Sequence, residues 1–148
     1  MPRFAIDGQD TNTAATTILG LTGSAAVRPK IYDLMMGSDA TPADNAAEYV
    51  LQRTTAAGTS TAVTPTPLDP LTSAAVATAG EAHSAEPTYT ANIILLQWAQ
   101  NQRATYRWVA APGGELISAA AAAAGIALQV IGIAGSAVNM NVTIHFEE

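Results

Sequence analysis

The sequence predicts an all-β protein, and three segments carry that expectation. From Val138 to Phe146, apolar Val138, Met140, Val142, Ile144 and Phe146 alternate with Asn139, Asn141, Thr143 and His145. A period of two with one apolar face is the signature of a half-buried strand. Ile126 to Ile133 is apolar on both faces and punctuated by Gly125, Gly132 and Gly135, which reads as a central strand followed by a turn. Between Ala104 and Ala110, Tyr106 and Trp108 share a face opposite Thr105, Arg107 and Val109, and Pro112-Gly113-Gly114 ends the run.

The remaining strands are expected at Arg3–Ile6, Thr16–Leu21, Lys30–Met36, Glu48–Thr54 and Asn92–Trp98. Their separators carry turn chemistry: Asp7-Gly8, Gly23-Ser24, Gly37-Ser38 with Pro42 and Asn45, and Gly58. About eight short strands at this spacing suit a sandwich or a barrel. The stretch from Gly58 to Pro87, within residues 58–88, holds four prolines among Thr, Ser and Ala and reads as a long loop or extended arm. Residues 1–10 are a second candidate arm. Ala119–Ala124 is ambiguous: alanine favours helix, but the flanking glycines leave little length, so either a strand end with a small-residue contact or one short helix fits.

With 148 residues, a single domain spanning 1–148 is expected. A chain of this size buries roughly 68–70% of its unfolded surface and needs no covalent staples. Cysteine is absent, so there is no disulfide framework, thiolate metal site or cysteine nucleophile. The formal charge is −6 and the six cations are scattered, which argues against a nucleic-acid partner. No basic stretch precedes an apolar core, so no signal peptide is expected, and no apolar run is long enough to span a bilayer. Charged residues make up only 12% of the chain, about half the usual share. Strand edges normally carry lysines or other charges, yet Lys30 is the only lysine. A surface so poor in charge suggests cover by neighbouring chains, and hence oligomerisation. Compositional bias alone accounts for the alanine content equally well.

No motif for chemistry emerges. His83 and His145 lie far apart, without a partner at ligand spacing, and Asp39, Asp44 and Asn45 lack the order of a calcium loop. There is no G-x-S-x-G elbow and no glycine-rich phosphate cradle. Nothing singles out Glu48, Glu81, Glu86 or Glu115 as a catalytic pair. No enzyme activity, metal or cofactor is expected. Trp98, Tyr106 and Trp108, beside Arg103 and Arg107 and near Tyr89, form the one alternative: an aromatic platform for sugars. Against it stands the simpler role of filling the core. Arg107, opposite Trp108, is a candidate for surface or inter-subunit contact.

The segment HSAEPTYTANIILLQWAQNQRATYRWVAAPGGE (His83–Glu115) and the closing NVTIHFEE resemble small structural proteins of bacteriophages, in particular head decoration, or cement, proteins of tailed phages. The opening PRFAIDGQDT and the run RPKIYDLMMGSDATPADNAAEYVLQRTTAAGTSTAVTP are similar as well, so the likeness covers most of the chain without a diagnostic motif. The resemblance implies a jelly-roll-like β-sandwich, commonly a homotrimer. It would sit on the capsid exterior of a virion and tie major capsid protein subunits together. It brings no catalytic residues. The expected capsid-binding residues are Arg3 and Phe4 of the N-terminal segment, Pro65, Pro67, Leu68 and Pro70 of the Pro-rich segment, and Arg107. A receptor- or glycan-binding module of a spike or fibre is the competing expectation.

Overall fold

Two antiparallel sheets packed face to face account for the chain, which the computed structural model describes from Met1 to Glu148. There are twelve strands: β1 (Arg3–Thr11), β2 (Thr17–Thr22), β3 (Lys30–Ser38), β4 (Ala46–Ala56), β5 (Thr59–Val63), β6 (Thr66–Pro67), β7 (Thr78–Ala85), β8 (Thr88–Asn101), β9 (Tyr106–Val109), β10 (Leu116–Ile117), β11 (Gly125–Ile133) and β12 (Asn139–Glu147). One sheet runs β10-β3-β12-β1-β6, with β9 also pairing β3; the other runs β5-β7-β2-β11-β4-β8. The first four strands alternate between the sheets, and β11 and β12 slot in beside them. This crossing makes the fold a jelly-roll-like β-sandwich. No helix is long and apolar enough to cross a membrane.

Alternation in sequence translates directly into the core. Phe4 pairs Phe146, Ile6 pairs Ile144 and Gly8 pairs Val142, so β1 and β12 turn the same face inward. Ile31, Leu34 and Met36 of β3 join them across a register shift between His145 and Phe146. From the other sheet, Leu19, Leu51 and Leu128 lie in one cross-strand row and meet this layer. Such interdigitation excludes water from both inner faces and supplies most of the folding free energy.

All eight expected strands are present, and four more join them. Residues 1–10 are no free arm. Arg3–Thr11 is hydrogen-bonded to β12 along its whole length, because Phe4 and Ile6 have too much apolar surface to leave in water. Nor is 58–88 one long loop: β5, β6 and β7 lie within it, leaving 68–77 as the irregular part. Gly58, at φ +74°, makes the turn into β5 without the steric penalty a side chain would bring. Pro67 is tolerated because β6 is a two-residue edge strand. Ala119–Ala124 forms neither strand nor helix; Ala119–Ala123 is an exposed loop closed by a turn in which the N–H of the buried Ala124 donates to Ala121 O.

Candidate functional site

The N-terminal and Pro-rich segments, separate in sequence, meet at one corner of the sandwich. Phe4 and Ala5 pair Pro67 and Thr66, and the Leu68 N–H donates to Arg3 O at 2.9 Å. The C-terminus closes the same corner. Glu148 accepts hydrogen bonds from the Val76 and Ala77 N–H groups at 2.7 and 2.9 Å, while its own N–H reaches Pro2 O. Asp69 accepts from Leu71 N–H at 3.0 Å, and Thr72 N–H from the same turn donates to Asp69 O. The loop is thus fixed at both ends, yet it carries bare apolar side chains. Leu71 is 94% exposed, and Met1, Leu68 and Val76 are each about half exposed or more. A shallow groove of about 300 Å³ between Met1, Arg3, Leu68 and Thr72 completes the corner.

Of the expected contact residues, Arg3, Leu68 and Pro70 reach solvent here, and Pro65 and Pro67 are half-buried. Phe4 is excluded from any contact with a partner. It is 1% exposed and stacked on Phe146, with ring centroids 5.4 Å apart. Arg107 lies elsewhere, on the outer face of the first sheet. There its Nε and an Nη atom hold the Asp33 carboxylate at 3.1 and 2.8 Å, with His145 Nδ1 at 3.6 Å on the other side. The pairing fixes the guanidinium while leaving it 61% exposed, whereas Asp33 is only 7% exposed. Beyond His145 the polar face continues through Tyr32, over which the Arg3 guanidinium stacks at 5.4 Å, to Glu147 beside Arg3 and Lys30. A groove of about 400 Å³ opens next to Arg107, floored by Gly37, Asn141 and Thr143.

The hydrogen bonds from Arg107 hold the Asp33 carboxyl below its ordinary value of 3.8. Burial opposes this, and the positive charges of Arg107 and protonated His145 reinforce it. A depressed carboxyl stabilises the fold above its unfolded pKa and loses that contribution as the pH falls through its folded pKa. Asp33→Asn is therefore expected to lower stability at neutral pH. The deficit should shrink as the pH drops below 3.8 and disappear under the folded pKa. Urea unfolding of both proteins across that range checks it; a deficit independent of pH would refute the assignment.

The aromatic residues form a stack instead of a platform. Trp98 lies between Tyr49, at 5.6 Å, and Tyr106, at 4.3 Å and 8° from parallel, so both indole faces are covered. Trp108 is half-buried against the core. His83 Nδ1 sits 3.2 Å from Thr17 O, and Glu86 accepts from the Thr17 N–H and hydroxyl. Thr17 is fully buried, and this cluster lines neither of the two grooves. Asp33 escaped sequence reasoning, although a lone acid among the apolar residues of a strand was its signal. Leu71 and Val76 gave none, since exposure of single apolar residues depends on the loop's path.

No protein-family model matches the chain, and neither a characterised protein nor a solved structure is similar to it.

Proposed function

We propose that this chain is a structural protein of a virion, packing on the outer surface of a phage head and stabilising contacts between capsomers. The observation that supports this most is the Leu68–Leu71 loop: rigidly hydrogen-bonded, yet almost bare at Leu71. Holding a leucine out in water forgoes roughly 1.5–3 kcal/mol of burial, which contact with a capsid subunit would recover. Because the backbone is already ordered, little entropy is lost on docking. Many copies on one shell turn such modest contacts into high avidity, and binding only the assembled shell stabilises it. A glycan-binding module would need an aromatic face free to stack on a sugar, and both faces of Trp98 are occupied.

Deleting residues 1–10 would remove a core strand, so the corner is tested by substitution. The double variant Leu68→Ser/Leu71→Ser is expected to keep its fold. It should lose at least about tenfold in retention on empty heads of the phage that encodes the chain, read by co-sedimentation. Heads loaded with the unaltered protein should resist heat longer than bare heads. Undiminished retention of the variant would remove the corner as the contact. Failure of the unaltered protein to bind heads would remove the reading itself.

A further inference from the structure

The geometry points to the groove beside Arg107 as a binding site for an acidic peptide segment. Such a segment would set an Asp or Glu carboxylate against Arg107 and a neighbouring apolar side chain against Met35. The inference goes beyond the capsid reading and does not rest on it.

The groove exists because Gly37 has no side chain. Met35 stands in a cross-strand row between Thr143 of β12 and Arg107 of β9. Two residues on, Gly37 lies opposite Asn141 and so shares its outward face. A β-carbon at Gly37 would lie 3.3 Å from Thr105 Cγ2, so any larger side chain would fill the gap between Thr105 and Asn141. The glycine leaves about 400 Å³ open there.

Charge selects the occupant. Arg107 is the only charged residue lining the groove. Asp33 takes one edge of its guanidinium, through Nε and one Nη atom. The other edge, an N–H from each Nη atom, has no acceptor in the chain, and the side chain is 61% exposed. That edge is the fork which a second carboxylate accepts in bidentate fashion. Asp33 is 7% exposed and does not line the groove, so the incoming acid does not face it. Asp7 is engaged by the Thr143 hydroxyl at 2.6 Å and also lies outside the lining. Because Asp33 already fixes the guanidinium, little rotamer freedom is lost on binding.

A carboxylate alone would fill only a fraction of this space. Asn141 and Thr105 are exposed beside it, with side chains unengaged in the chain. A side-chain amide offers both donor and acceptor, the complement of a peptide unit. Met35, half-buried, presents an adaptable apolar surface to the next side chain.

The probes are acetyl-Leu-Glu-Leu-amide, the matching Gln peptide and sodium acetate, each titrated into ¹⁵N-labelled protein and followed by NMR. The Glu peptide is expected to shift the Arg107 Nε–H and Asn141 side-chain signals, with a Kd on the order of 1 mM. The Gln peptide and acetate should each bind at least about tenfold more weakly. Gly37→Val leaves the Arg107–Asp33 pair intact and places a β-branched residue in a strand, where it is well tolerated. By filling the groove it should weaken the Glu peptide at least about tenfold. Arg107→Gln should do the same; it also strips Asp33 of its partner, so Gly37→Val decides the matter should that variant fail to fold. Four results each overturn the assignment. They are no shift at about twentyfold above that Kd, equal binding of the Gln peptide, equal binding of acetate, and undiminished binding by folded Gly37→Val. The third would leave an adventitious anion contact only.

Discussion

Phe4→Ala is expected to lower the unfolding free energy by about 3–5 kcal/mol, the range for removing a fully buried phenylalanine. The ring is 1% exposed and stacked on Phe146 at 25° between planes. Its strand is paired on both sides here, to Phe146 and to Pro67, so the site has little freedom to collapse around the void. Against a typical total of about 5–15 kcal/mol, such a loss leaves a marginal protein, with Tm reduced by roughly 10–20 °C. The neighbouring Arg3→Ala removes a solvent-facing side chain whose ion pair with Glu147 is 3.8 Å long. It should change stability by less than about 0.5 kcal/mol. Calorimetry of the two variants separates a core strand from a mobile arm: in an arm, both substitutions would leave the melting curve where it was.

That contrast also marks what could be read from sequence. The alternation of Val138–Phe146 is a one-dimensional signal, because each side chain's face follows from the pleat alone. The Arg3–Ile6 strand was legible for the same reason. Its extension to Thr11 was not, because Gly8 and the polar residues beyond Asp7 lack alternation; β12 sets that length by pairing as far as Thr11 with Asn139. β5 and β7 were hidden because their Thr, Ser and Ala residues have weak contrast between faces. They are strands because β2 offers β7 an edge and β7 in turn offers one to β5. The candidate contact residues illustrate the same limit. Proximity of Leu68 to Arg3 follows from the pairing of β6 with β1, a relation between residues 61 and 63 positions apart in the chain that no local pattern encodes.

The polar centre of the molecule makes the second large prediction: Asn12→Ala should cost about 2–4 kcal/mol. Asn12 is fully buried, just past β1. Its Oδ1 accepts from the Val138 N–H at 2.7 Å, and its Nδ2 donates to Tyr49 Oη and to Gln102 Oε1, both at 3.0 Å. Gln102 in turn donates to Asn45 Oδ1 and to Ser136 O, and its carbonyl accepts from Ser38. One side chain thereby links the connections β1–β2, β3–β4, β8–β9 and β11–β12, every one of which crosses between the sheets at this end. Alanine would leave a buried N–H and a buried amide oxygen without partners, and each such group costs about 1–3 kcal/mol, more than the net gain of making the bond. Tyr49→Phe removes one acceptor while the other amide bonds persist, so its cost should stay near 1 kcal/mol, and the double variant should cost less than the sum. Urea denaturation of the three variants measures this coupling. Additive losses would mean that the four connections are held independently, and that Asn12 only fills space at the end of β1.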